Sequence, residues 1–170
     1  KKDSSSRGRQ LLGHFSHRGH KVWSLPSPVG AHFLPACGLA WGLKLDKKEA
    51  VVVVTTGEGG TRQGDFHEAV CFAKERALPI LFVVEDNGIS ISARNRDSTP
   101  LSLGVLSADQ WRRADGSKVE SVWSASMALL AEIREGGGPR CLWAESPRLS
   151  SHSSADDHRQ YLTEEELAFL

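Results

Sequence analysis

At 170 residues and 39% hydrophobic content the chain is long enough to enclose one hydrophobic core, which sets the expectation of a single domain. Lys+Arg and Asp+Glu each number 21, so the net charge is zero with His neutral, and the broad positive field of a nucleic-acid binder is missing. No apolar run approaches the ~18 residues of a membrane-spanning helix, and the cysteines Cys37, Cys71 and Cys141 form no CxxC pair, which suits structural thiols in a reducing compartment.

Residues 1–8 form a basic, Ser-rich tail with no apolar stretch behind it, unlike a secretory signal. A chain that starts with Lys and meets a motif almost at once is expected to be a fragment. Ser27-Pro28 predicts an N-cap with proline in the first turn, opening a helix that runs to about Lys44. Ala50 to Thr56 is continuous and β-branched, which predicts a strand covered on both faces. After a Gly-rich turn, Phe66, Ala69, Val70, Ala73 and Ala77 recur at helical steps, predicting a helix over 63–77 with one buried face. Ile80 to Val84 predicts a second buried strand, and strand, helix and strand in succession predict an α/β fold with a doubly wound, mostly parallel sheet and helices on both faces. Residues 92–117 show little periodicity. Val119 to Glu135 returns to helical spacing and stops at Gly136, Cys141 to Ala144 predicts a third strand, and residues 146–158 read as a loop.

In an open α/β sheet, ligands bind outside the carboxyl ends of the parallel strands. Strand one is followed by Gly57-Glu58-Gly59-Gly60, strand two by Glu85-Asp86-Asn87-Gly88, and strand three by Glu145-Ser146-Pro147-Arg148 with His152 beyond. The glycines allow backbone amides to approach an anion, and the helix start near Gln63 adds a dipole that favours phosphate. Glu58, Asn87 and the Ile89 carbonyl are hard oxygen donors of the kind Mg²⁺ takes, although strand-end turns use such residues anyway.

Gly57-Glu58-Gly59, a 26-residue spacer and Asp86-Asn87 together resemble the thiamine-diphosphate motif of GDG or GEG, spacer and NN. Around it, Gln63 to Ala69 and Leu78 to Phe82 are similar to the alpha subunits of pyruvate and branched-chain 2-oxo acid dehydrogenases. Gly8-Arg9-Gln10, His14 and Ser27-Pro28-Val29 resemble the stretch before that motif, and Arg148 with His152 to Asp157 the loop after it. The resemblance implies a thiamine-diphosphate-binding domain over 9–161, followed by a helical extension over 162–170. It implies Mg²⁺ on Glu58, Asn87 and Ile89, diphosphate on the amides of Gly59 and Gly60 with Gly57 also at the cofactor, and phosphate contacts from Arg148. His152 becomes a cofactor-facing catalytic candidate on a loop that folds over the site. Val29 lies near the aminopyrimidine, Ser27 in a monovalent cation (K⁺) site, and His14 on the pocket wall. The implied reaction is oxidative decarboxylation of a 2-oxo acid, branched-chain before pyruvate, with acyl transfer to a lipoyl group. The implied partners are a beta subunit and a lipoyl-bearing acyltransferase, with location in a bacterial cytoplasm or the mitochondrial matrix.

The sequence also departs from the pattern. Asp86 stands where the motif has Asn, Ile89 replaces Tyr, and Ala31 and His32 replace the Thr and Gln of the ion site. The glutamate that activates the cofactor belongs to the beta subunit in these enzymes, so the chain alone is expected to be inactive. Ser153 matches a serine that kinases modify in mitochondrial members. Two other readings stay open here: another thiamine-diphosphate enzyme of transketolase type, and a noncatalytic structural or regulatory module that retains the fold.

Overall fold

The structure is a computed structural model that describes residues 14–94 and 99–169. The tail over 1–8 and the Gly8-Arg9-Gln10 segment lie outside the described residues. A four-stranded parallel sheet forms the centre, built from β1 (Val52–Gly57), β2 (Ile80–Asp86), β5 (Trp111–Asp115) and β6 (Arg140–Glu145) in the order β1-β2-β6-β5. The short strands β3 (Ile89–Ser90) and β4 (Ala93–Arg94) pair as a hairpin directly after β2.

Alternation along β2 divides the core into two layers. Ile80, Phe82 and Val84 face α1 (Phe33–Leu45) and α2 (Gly64–Glu75), while Leu81 and Val83 face α3 (Val119–Glu132). Helices therefore cover both faces, as the doubly wound reading expects. α2 buries Phe66, Ala69, Val70 and Ala73 completely, one stripe at three- and four-residue steps. Phe66 meets Phe33 and Phe82 edge-to-face, with ring centroids 5.2 and 5.7 Å apart, and so joins both helices to the sheet. Asp65 sits in the first turn of α2, and Lys44 of α1 donates to the Arg76 and Ala77 carbonyls at its end, so both helix termini carry complementary charge. Burial pushes the Cys37 thiol up to about 11 and the Cys141 thiol to about 12, which keeps both protonated and unreactive.

Four expectations require correction. Helix α1 starts at Phe33 rather than at Ser27, because Gly30 takes φ +90° and the chain over 28–33 closes two turns, Ala31 N–H to the Pro28 carbonyl and Phe33 N–H to the Gly30 carbonyl. Strand β1 is covered on one face only: it lies at the sheet edge, and Val53 is 54% exposed. Residues 111–115 form a strand that periodicity misses, since Ala114 is the single buried side chain in Trp-Arg-Arg-Ala-Asp. Glu132 on α3 holds this strand in place by ion-pairing with Arg112 of β5 and Arg140 of β6. Finally, α3 ends at Glu132 in a wider turn over Ile133–Gly137, where Gly136 adopts φ +87°.

The expected C-terminal helix is present as α4 (Glu164–Phe169). The Thr163 hydroxyl accepts from the Glu166 amide and the Glu166 carboxylate accepts from the Thr163 amide, a capping box that Arg94 of β4 reinforces by pairing with Glu166.

Replacing Phe66 with Ala removes the ring that joins three elements and is expected to cost about 3–5 kcal/mol in urea unfolding. Arg94, and then the Thr163 amide, hold the Glu166 carboxyl down at about 2. A depressed folded-state pKa means that this contact stabilises fully above the usual glutamate range and is lost as pH falls toward 2. The Thr163 amide resonance, followed by NMR from pH 6 downward, should keep its position past pH 4 and shift only below it.

Candidate functional site

Strands β1, β2 and β6 run in parallel register, with Gly57 beside Glu85 and Asp86 beside Glu145, so the three polar turns leave from one edge, as the strand pattern predicts. Glu58 opens a single 3₁₀ turn, Glu58–Arg62, whose buried Thr61 hydroxyl donates to the Glu58 carbonyl at 2.6 Å. That turn withdraws the Glu58 side chain from solvent to 4% exposure. Its carboxylate accepts from the Ser90 hydroxyl at 3.2 Å and from the Asn87 amide at 3.4 Å, and no basic side chain among the described residues pairs with it. A carboxylate buried on neutral donors alone is costly, and the geometry suits a cation that would supply the missing charge.

Asn87 turns its own side-chain oxygen back to accept from the Ile89 amide at 3.2 Å, so the 87–89 turn holds its side-chain oxygen beside the Ile89 backbone while its first amide reaches Glu58. Gly59 and Gly60 line the other wall. A Cβ on Gly60 would lie 2.1 Å from the Thr56 hydroxyl and 3.6 Å from a Val29 methyl, so a side chain there would displace the Thr56 hydroxyl, and Val29 is brought to the same turn. The candidate donor set expected from the sequence is one carboxylate, one carboxamide and a backbone carbonyl. It is compatible with Mg²⁺, which keeps several ligand positions for phosphate and water; among the described residues no cluster of three or more His, Cys, Asp or Glu offers a rival metal site.

Arg148 reaches this edge from the loop after β6. Its guanidinium donates to the Ile91 carbonyl at 2.9 Å and to the Tyr161 hydroxyl at 2.6 Å, and lies over the Tyr161 ring. The Tyr161 hydroxyl donates in turn to Asp156, which also accepts from the His152 amide at 2.8 Å. These donors hold the Asp156 carboxyl below the usual aspartate range, and desolvation raises the Tyr161 phenol. Ile91, the acceptor for Arg148, is a β-branched residue at φ +59°.

Not every predicted residue joins the cluster. Ser27 and the His152 ring are exposed, and no hydrogen bond among the described residues connects either to the Glu58 turn. Ser153 is exposed on the same loop. His14 bonds the Leu25 carbonyl at 2.6 Å. His32 bonds the Thr55 carbonyl at 3.0 Å through Nε2 and leaves Nδ1 buried without a partner among the described residues, so it ties the start of α1 to β1 and contributes no oxygen to an ion site. Five contributors were not singled out by sequence reasoning: Thr61, Ser90, Ile91, Tyr161 and Trp143, whose indole N–H donates to Asp86 at 2.8 Å. Trp143 alone carried a usable signal, since an indole N–H in a buried strand must find an acceptor. A surface depression of about 390 Å³ at β5 shares the edge, but its acids Asp115 and Glu145 are already paired with Lys118 and Arg113.

The family model for the dehydrogenase E1 component matches residues 1–169. A 2-oxoisovalerate dehydrogenase alpha subunit of Bacillus subtilis is 32% identical over 97% of this chain and 51% of its own length. A pyruvate dehydrogenase E1 alpha subunit of Staphylococcus epidermidis is 31% identical over 81% of this chain and 39% of its own. The chain thus spans about half or less of these relatives. Among solved structures, a Mycobacterium smegmatis enzyme described as thiamin diphosphate-dependent aligns at 21% identity with a TM-score of 0.48, covering 75% of this chain and 26% of that one, too distant a likeness to carry an argument.

A Cβ at Gly59 would sit 2.6 Å from the Ser90 hydroxyl that donates to Glu58. Gly59→Ala is therefore expected to cost about 1–3 kcal/mol in chemical denaturation. Gly64→Ala, with no neighbour within 4 Å, should be neutral or slightly stabilising.

Proposed function

The chain belongs to the dehydrogenase E1 component family, and from that premise we propose that it holds the diphosphate end of thiamine diphosphate through Mg²⁺ for the oxidative decarboxylation of a 2-oxo acid. The observation that carries the proposal is Glu58, a carboxylate at 4% exposure whose donors are neutral and which lies one hydrogen bond from Asn87. Branched-chain substrates come before pyruvate in this reading, in keeping with the B. subtilis relative. A beta subunit and a lipoyl-bearing acyltransferase are the proposed partners, and a bacterial cytoplasm or a mitochondrial matrix the proposed location.

Thiamine diphosphate, when bound, supplies the electron sink for loss of CO₂ from the 2-oxo acid. The chain's own contribution is positioning. Glu58 and the Asn87 side-chain oxygen, with the Ile89 carbonyl, would hold the metal, while the turn over Gly57, Gly59 and Gly60 would receive the diphosphate, with space for a Cβ restricted at Gly59 and Gly60. Val29 would pack beside the aminopyrimidine. Arg148, anchored by Tyr161, keeps donors for phosphate oxygens close to the Ile91 backbone. His152 rides on the adjoining loop, which Asp156 braces through the His152 amide, and would meet substrate or the acyl acceptor. Ala31 and His32 offer no side-chain oxygen at the Ser27 turn, and no K⁺ is proposed there.

One observation favours a second reading, a noncatalytic module: Arg148 is engaged by the chain's own Ile91 and Tyr161. Calorimetric titration of thiamine diphosphate with and without Mg²⁺ separates the two. Binding that requires Mg²⁺ and is lost in Glu58→Ala and in Asn87→Ala supports the cofactor site. Mg²⁺-dependent binding unchanged in both variants refutes the assigned ligands, and no binding by the wild type with its beta partner present favours the noncatalytic module.

A further inference from the structure

The family pattern has Asn at the position of Asp86, which raises the question of what a second carboxylate does beside a phosphate site. Asp86 is the last residue of β2, and its side chain leaves on the same face as Phe82 and Val84, toward Trp143 of β6. One carboxylate oxygen accepts from the Trp143 indole N–H at 2.8 Å and the other from the Gly88 amide at 2.8 Å, while the Asp86 carbonyl accepts from the Ser146 amide at 2.9 Å. Trp143 is only 2% exposed and its indole nitrogen is solely a donor. Gly88 takes φ +79°, the backbone reversal that lets its N–H point back at Asp86. Two N–H donors converge from opposite sides, and a carboxylate has an acceptor oxygen for each. A carboxamide has one acceptor oxygen, and its NH₂ would confront the second donor.

Resting on the Mg²⁺ reading above, we infer that Asp86 is a positioning residue: it clamps the 86–89 turn to β6 through Trp143, so that Asn87 and Ile89 are presented to Glu58. The next two hydrogen bonds in the turn, Asn87 N–H to Glu58 and Ile89 N–H to the Asn87 side chain, are the ones that gather the metal donors. Asp86 and Trp143 are matched partners, and the departure from the family pattern is compensated within the chain itself.

The clamp is tested on the full chain in two ways. Hydrogen exchange by NMR reads it directly: in Asp86→Ala the Trp143 indole N–H and the Gly88 amide should exchange about tenfold faster or more, while the Phe82 amide in the sheet is unchanged, which rules out general unfolding. Equal exchange in wild type and variant overturns the clamp whether or not cofactor binds. The second test titrates Mg²⁺ at fixed thiamine diphosphate by calorimetry. Asp86→Asn should raise the Mg²⁺ concentration for half-saturation by about tenfold. Adding Trp143→Phe, which deletes the competing donor and leaves one acceptor for Gly88, should restore part of the loss. If Asp86→Asn binds Mg²⁺ as well as or better than wild type, the carboxylate is only an electrostatic burden and the inference fails. Absence of binding by the wild type counts against the cofactor reading alone, and the exchange result then decides the clamp.

Discussion

The parallel register of β1, β2 and β6 is the constraint from which the rest of the site follows. Parallel strands must all be re-entered from the same end, so their carboxyl termini share one edge, and the turns that leave them are brought together without being adjacent in sequence. Glu58 and Asn87 are separated by 28 intervening residues, yet they lie one hydrogen bond apart because Gly57 pairs with Glu85 in the sheet. Helix α2 makes this possible. Its alanines let it pack closely on the sheet, and Phe66 fixes it against both Phe33 and Phe82.

The elements most legible in the sequence are those whose burial pattern is complete. Strand β2 is hydrophobic from Ile80 to Val84 because α1 and α2 cover one face and α3 the other, and α2 shows its stripe because one side meets the core. Legibility failed where an element is stabilised by neighbours rather than by its own burial. Strand β5 exposes Arg112, Arg113 and Asp115, and its position depends on pairing with β6 and on the Glu132 ion pairs. Four valines in a row suggest a central strand, yet β1 lies at an edge, because nothing in a strand's own residues states its order in the sheet.

The site divides in the same way. Glu58 and Asn87 could be found because strand-end turns are where ligands meet open sheets, and the spacing of their motif is specific. Ser90, Ile91 and Tyr161 could not, since each contributes through a contact that exists only after the hairpin and the loop after β6 have folded onto the edge. Asp86 is the instructive case. In the sequence it is a departure from the family pattern, and its meaning depends on a tryptophan 57 positions away.

Ile91 gives the edge a mechanical property. A branched side chain at φ +59° is a genuine outlier, and a residue held in a sparsely populated backbone region stores roughly 1–3 kcal/mol. Its carbonyl is grasped by Arg148, and Arg148 is grasped in turn by the loop's own Tyr161. The two-residue loop between Ser90 and Ala93 itself calls for a positive φ at its first position, so the hairpin beside the proposed metal donors carries that strain while Arg148 clasps it to the loop after β6. The position of the hairpin and the order of the loop after β6 are thus tied to one another through a single arginine.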